Sequence, residues 1–217
     1  MYARVILPKN NMQPTIYPLF SAPVYYVPDT NFRVDDHTLA KFLDRTEFPD
    51  WTDGTGLTSN QFILNDSTYK DIRRVCEFHL QEYTTKICGF DNEFYITNSW
   101  LTRNEPSVPH QMHAHPNSIF SGCLYLRSSP KSIMTFGSKN YFTKTWPFTY
   151  NTKHANIYNS DNWPVTVDTG SIVIWPSDLL HGSNPNPRKD TRIALCFNTF
   201  LKGNIGNTWY GTDLILK

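Results

Sequence analysis

Over residues 93–103 the side chains fall into two alternating sets, and this period of two, taken up again in later segments, restricts the fold more than any other feature. Residues 93–103 set Phe94, Ile96, Asn98 and Trp100 against Tyr95, Thr97, Ser99 and Leu101. Successive side chains on a strand point to opposite faces, so the pattern demands a sheet with two distinct surfaces. Further runs of strand character follow at 119–127, 132–136, 171–175, 191–201 and 213–216. The 15% aromatic content supplies residues that suit a pleated surface, and 15 prolines with 10 glycines supply turns between short strands. A helical bundle is excluded for this half of the chain.

The first 92 residues read differently. An edge strand or two is expected over 16–27, carried by Tyr17, Phe20, Val24 and Tyr26. A short helix is predicted over 36–45, capped by Asp35 or Asp36. A longer helix is predicted over 67–88. Tyr69, Ile72, Val75, Cys76, Leu80, Tyr83 and Ile87 follow helical spacing there, with Asn65 or Asp66 as cap and Gly89 as stop. The stretch 49–60 reads as loop. The stretch 137–169 reads as an extended insert with short strands, whose aromatics between Gly137 and Trp163 are candidates for a lid or substrate wall. The expected architecture is one domain over 1–217, α+β but mainly β. Strands and helices over 1–92 pack on a β body over 93–217.

Charge and composition narrow the function classes. Twenty basic against 19 acidic residues leave a net charge of +1 with no basic run, so nucleic acid is not an expected partner. Pro8 interrupts the N-terminal segment, which reads as no signal peptide, and no stretch approaches the ~20 apolar residues of a membrane helix. Cys76, Cys88, Cys123 and Cys196 form no CxxC pair. Free thiols in a reducing, cytoplasmic setting are the expectation.

Chemistry concentrates at His110-Gln-Met-His113-Ala-His115-Pro. Residues two apart on extended backbone project to one side, so His113 and His115 can face one ion, and Fe(II) or a similar divalent metal suits imidazole. Two ligands make a weak site, and His181 is the leading candidate for a third. Downstream, Arg192 shares a strand face with Ala194, Cys196 and Asn198, while Ile193, Leu195, Phe197 and Thr199 form the packed side. An arginine followed by small and polar residues suggests a cavity with a cation at its floor, able to grip a carboxylate through two parallel hydrogen bonds. Ser121, Cys123 and Tyr125 share one face of the earlier strand, where a hydroxyl and a phenol can bond the same small anion. His37, His79 and His154 read as ordinary core or surface histidines, and Trp100 and Trp175 as core or pocket wall.

The order of the histidine cluster, Ser118-Ile-Phe-Ser121-Gly122-Cys-Leu-Tyr125-Leu126, Gly170-Ser-Ile-Val-Ile-Trp175-Pro176-Ser177 with His181, and Arg192-Ile-Ala-Leu-Cys-Phe197-Asn198 resembles a group of 2-oxoglutarate-Fe(II) oxygenases found in bacteria and marine phages. The likeness runs from about Trp100 to Phe200. It implies a double-stranded β-helix (jelly-roll, cupin-like) with the N-terminal helices packed on one sheet. It also implies a dioxygenase that uses Fe(II), O2 and 2-oxoglutarate, releases succinate and CO2, and hydroxylates a substrate the sequence does not name.

By the same resemblance His113, His115 and His181 fall on the metal ligands and Arg192 on the anchor for the distal carboxylate. Tyr125 falls on the tyrosine that contacts the cosubstrate, with Ser121 and Asn198 on the same cavity face. The sequence departs from the family at His115, which stands where a carboxylate is usual. That leaves open whether His115, His110 or water completes the site. It also keeps open a cupin-like metalloprotein that does not use 2-oxoglutarate, or a non-enzymatic jelly-roll binding module. Homodimerisation is left open. The cytoplasm would be a host's if the chain is phage-encoded.

Overall fold

The structure is a computed structural model that describes residues 15–19, 21–49, 54–137, 151 and 153–216. In the N-terminal part, β1 (Tyr25–Val27) is the one strand among the described residues of 16–27; Phe20 lies outside them. Helix α1 (Asp36–Asp44) begins where the Asp35 carboxylate accepts from the Thr38 amide at 2.8 Å, and it buries Leu39 and Phe42. Strand β2 (Thr55–Leu57) forms where a loop was expected. Thr-Gly-Leu carries no alternation of its own, and pairing with a neighbouring strand makes it extended. The helix predicted over 67–88 comes in three parts: a 3-10 turn at Ser67–Tyr69 capped by Asp66, α2 (Lys70–Gln81), and a wider π turn at Glu82–Ile87. In that last turn the Cys88 amide reaches back five residues to the Tyr83 carbonyl at 3.0 Å.

Eight strands then build the body: β3 (Glu93–Asn104), β4 (His110–His113), β5 (Phe120–Arg127), β6 (Ser132–Gly137), β7 (Asn162–Val167), β8 (Ile172–Pro176), β9 (His181–Ser183) and β10 (Arg192–Ile205). A short β11 (Leu214–Leu216) folds back on the end of β10. The larger sheet has the order β1-β8-β5-β10-β3-β2 and the smaller the order β4-β9-β6-β7. The chain alternates between the sheets, with β3, β5, β8 and β10 in one and β4, β6, β7 and β9 in the other. Among the described residues the ladders between these strands are antiparallel. This is the double-stranded β-helix expected from the sequence.

Two cores follow from the two faces of the larger sheet. Leu101, Leu124, Leu126, Ile193, Leu195 and Phe197 pack outward against α1 and α2. Cys123, Tyr125, Val173, Trp175 and Ala194 face the smaller sheet and meet Met134 and Phe136. The outward core includes Phe94 and Ile96, yet Trp100 lines the cavity between the sheets. The expected single face for Phe94, Ile96 and Trp100 is therefore wrong. The register of β3 against β10 shifts at Asn198/Thr199, where Thr97 is the extra residue. A bulge inverts the parity of every side chain beyond it.

Gly122 sits opposite Phe197 in the β5–β10 register, and a Cβ there would lie inside the envelope of the Phe197 ring. Phe197 is fully buried and cannot step aside. Gly122→Ala is expected to destabilise the fold by about 1–3 kcal/mol, the cost of overpacking. Urea denaturation checks this; an unchanged midpoint would contradict the packing described.

The lid residues suggested by the sequence, Tyr141, Phe142, Trp146, Phe148 and Tyr150, lie outside the described residues. No helix among the described residues is long and apolar enough to cross a membrane.

Candidate functional site

The two sheets meet at a cluster of imidazoles. Strands β4 and β9 pair so that His113 lies directly opposite His181. Gly182 allows the approach, because a Cβ there would stand 2.7 Å from the His110 carbonyl oxygen. His115 follows in the turn after β4, held by its amide donating to the Ser177 carbonyl at 2.9 Å. One ligand atom from each of His113, His115 and His181 lies within 4.8 Å of the others, and the Nε2 atoms of His113 and His115 are 3.1 Å apart. His110 stacks on His113 at 4.8 Å between ring centroids and is not part of this convergent set.

Hydrogen bonding fixes which nitrogen carries the proton. His113 Nδ1 lies 2.8 Å from the Gln111 carbonyl and His181 Nδ1 lies 3.0 Å from the Leu179 carbonyl. A carbonyl only accepts, so both Nδ1 atoms donate. His115 Nδ1 lies 2.7 Å from Asn198 Oδ1 and 2.8 Å from Ser121 Oγ. Ser121 spends its own proton on Asn198 Oδ1 at 2.7 Å, so His115 Nδ1 also donates. Three Nε2 lone pairs are left, aimed at a common centre. Lone pairs that face one another at such a separation repel unless a cation lies between them.

Burial favours the neutral, ligating form. It pulls His115 from 6.5 to about 4, where the Asn198 hydrogen bond works against the shift and His113 adds to it. It pulls His181 to about 3, opposed by the Leu179 carbonyl. Both folded values lie below the unfolded one, so the folded state binds fewer protons. Stability from these groups is present in full above pH 6.5 and is lost as pH falls through about 4 and then about 3. For the metal-free protein the expected loss is on the order of 3 kcal/mol from His115 alone. Denaturation midpoints from pH 7 down to 5, compared with those of His115→Gln, check this. Parallel curves for the two proteins would contradict it.

The cavity that holds the triad is also lined by Arg192, which is 3% exposed. Its guanidinium donates to Ser183 Oγ at 2.5 Å and reaches the Asn184 carbonyl at 3.5 Å. Among the described residues no carboxylate pairs with it. Asp190, the obvious candidate in sequence, is taken by Arg188 at 2.5 Å. Burial pushes the Arg192 guanidinium below its ordinary value, partly offset by Tyr125, Cys123 and Cys196 beside it. A buried cation with only neutral partners is costly, and a carboxylate entering the cavity relieves that cost.

Tyr125 lines the same cavity, with Cys123, Cys196, Met134, Trp100 and Trp175. Ser121 and Asn198 do not line it; they stand behind His115 and hold its ring. The Trp175 indole N–H is buried with no hydrogen-bond partner among the described residues, a donor that the sequence reading passed over as wall. His79 accepts or donates at 2.8 Å with the Tyr25 hydroxyl, a satisfied core histidine, while His37 and His154 are exposed.

Residues 98–198 match a family model described as "Putative 2OG-Fe(II) oxygenase", a span that contains the triad, Arg192 and every pocket residue named above. This segment is similar to the 2OG-Fe(II) oxygenase family. Solved structures carry the likeness of fold beyond it. An oxidoreductase of the 2OG-Fe(II) oxygenase family from Burkholderia pseudomallei aligns with a TM-score of 0.55 at 12% identity, over 81% of this chain and 83% of its own. The non-heme alpha ketoglutarate dependent epimerase SnoN from nogalamycin biosynthesis aligns with a TM-score of 0.58 at 15% identity, over 86% and 82%. HygX from Streptomyces hygroscopicus, solved with nickel, 2-oxoglutarate and hygromycin B bound, aligns with a TM-score of 0.54 at 10% identity, over 82% of each chain. No curated relative matches the sequence.

Proposed function

We propose that the chain is an Fe(II)- and 2-oxoglutarate-dependent dioxygenase that hydroxylates an organic substrate and releases succinate and CO2. The observation that carries this reading is the set of three Nδ1 donors tied to oxygen acceptors, which leaves three Nε2 lone pairs converging where only a cation satisfies them. Imidazole donors fit Fe(II), and HygX and SnoN have been solved with metal and 2-oxoglutarate in the same fold. When bound, iron with 2-oxoglutarate and O2 supplies the oxidising chemistry of the class.

The protein's own groups bind, orient and exclude water. His113, His115 and His181 hold the metal. Ser121 and Asn198 act through His115, fixing its tautomer and ring angle. Arg192 takes the distal carboxylate of 2-oxoglutarate, with Tyr125 beside it. The Trp175 N–H, without a hydrogen-bond partner among the described residues, is available to whatever fills the cavity. With a third histidine in place of a carboxylate the ion keeps its full +2 charge, and the dianionic cosubstrate balances it.

All these side chains come from one chain, and the helices over the larger sheet fit one unit over 1–217. Four free cysteines suit a reducing compartment, the cytoplasm, or a host's cytoplasm for a phage-encoded chain. His115 also suits a cupin-like dioxygenase that needs no 2-oxo acid, and Arg192, buried without an acidic partner among the described residues, speaks against that. The test is succinate formation in air with Fe(II) and 2-oxoglutarate alone. Uncoupled succinate above a protein-free control is expected; none would overturn the reading.

A further inference from the structure

Cys123 on β5 and Cys196 on β10 are direct partners in the sheet register, and their sulfurs lie 3.5 Å apart. The Tyr125 amide donates to the Ser171 carbonyl at 2.9 Å and its carbonyl accepts from the Gly170 amide at 2.7 Å, so Tyr125 spends its backbone bonds on the β8 side. Two residues earlier Cys123 must do the same. Toward β10 it therefore forms a non-hydrogen-bonded pair, where Cα atoms stand about 4.5 Å apart. That lies inside the range of about 4.4–6.8 Å that a disulfide spans, so a bond forms without moving the strands.

Both thiols line the cavity that holds the triad and Arg192. On β10, Cys196 lies between Arg192 and Asn198, the partner of His115. On β5, Cys123 lies between Ser121, the other partner of His115, and Tyr125. Along both strands the pair thus stands between a partner of His115 and either Arg192 or Tyr125, and both thiols line the pocket. Neither thiol has a role in the proposed reaction.

We propose that Cys123 and Cys196 are an oxidisable dithiol, and that their cross-strand disulfide, formed by a hydroperoxide, lowers the affinity of the pocket for 2-oxoglutarate. Cys196 is the less buried of the two and reacts first; its hydrogen-bonded contact and burial push the Cys123 thiol up. The Cys196 thiolate takes the terminal oxygen of the hydroperoxide, the O–O bond breaks, and an alcohol leaves with the thiol proton. Cys123 sulfur then displaces hydroxide from the sulfenic acid, and its proton completes a water. In sum two thiols and one hydroperoxide give a disulfide, an alcohol and water. The sulfurs draw in from 3.5 Å to about 2.05 Å and lose both protons beneath the bound cosubstrate.

The affinity effect rests on the cosubstrate reading, whereas the crosslink does not. The native, metal-free chain is treated with tert-butyl hydroperoxide, digested without reduction and mapped by mass spectrometry. 2-Oxoglutarate binding with Mn(II) is measured by calorimetry before and after treatment. The expected result is a Cys123–Cys196 crosslinked peptide, lighter by two hydrogens, with Cys76 and Cys88 still free. Affinity falls about tenfold or more and returns with a thiol reductant. In Cys196→Ser, affinity no longer responds to the peroxide. No crosslink between this pair would overturn the dithiol assignment. A crosslink with unchanged affinity would overturn the control of binding. No binding by the reduced protein would overturn the cosubstrate reading and that control with it, while the crosslinked peptide would still support the dithiol.

Discussion

His181→Ala is expected to abolish metal-dependent turnover and to weaken Fe(II) or Mn(II) binding by roughly a thousandfold, the equivalent of about 4 kcal/mol for one of three proposed ligands. The effect is large because His181 is 4% exposed and its Nδ1 is already committed to the Leu179 carbonyl, so the ring has one orientation and one free lone pair. Neither His110 nor water replaces it at the same depth. His110→Ala removes only a ring stacked on His113 and is expected to change metal affinity far less. Isothermal titration of the metal-free proteins compares the two. Equal losses for both variants would contradict the assignment of the triad to His113, His115 and His181.

Arg192→Met is expected to cost about 2–5 kcal/mol of 2-oxoglutarate binding, roughly thirtyfold to a few thousandfold in Kd, because a carboxylate bound there would lose its counter-charge. The same change is expected to leave the ligand-free fold as stable as before, or more so. The guanidinium is buried against Ser183, the Asn184 carbonyl, Tyr125 and two thiols, with no acid among the described residues. Removing an uncompensated buried charge relieves desolvation. Opposite signs for binding and stability distinguish an anion site from a structural arginine. If Arg192→Met lowers the stability of the ligand-free fold yet binds 2-oxoglutarate with unchanged affinity, the anchor role is wrong. Arg192→Lys keeps the charge without the two-pronged geometry and should fall between.

Much of this was readable in the chain because a strand's two faces are written into alternate residues. Arg192, Ala194 and Cys196 against Ile193, Leu195 and Phe197 separated cavity from core correctly. The same rule failed in β3, where Thr97 bulges and Trp100 changes side. A bulge leaves no mark in alternation, since it is set by the partner strand. Strands β2, β4 and β9 were missed as strands for a related reason. Three-residue β2 and β9 have too few positions to show a period, and β4 is bulged between His110 and His113. The histidine cluster was legible, but the choice between His110 and His115 was not. It depends on Ser121 on the next strand and on Asn198, far from His115 in sequence, both meeting its Nδ1. These two residues were placed on the right face and assigned to the cosubstrate; the structure puts them behind a ligand.

The central claim is that three imidazoles and Arg192 together hold an iron and a 2-oxo acid. Anaerobic addition of 2-oxoglutarate to the Fe(II)-loaded protein tests it most directly, because chelation by the keto oxygen and carboxylate produces a metal-to-ligand charge-transfer band in the visible. The band should appear with wild-type protein, saturate at one equivalent of iron, vanish in His181→Ala, and require far more 2-oxoglutarate in Arg192→Met. A wild-type protein that binds Fe(II) and develops no band at saturating 2-oxoglutarate would contradict the account.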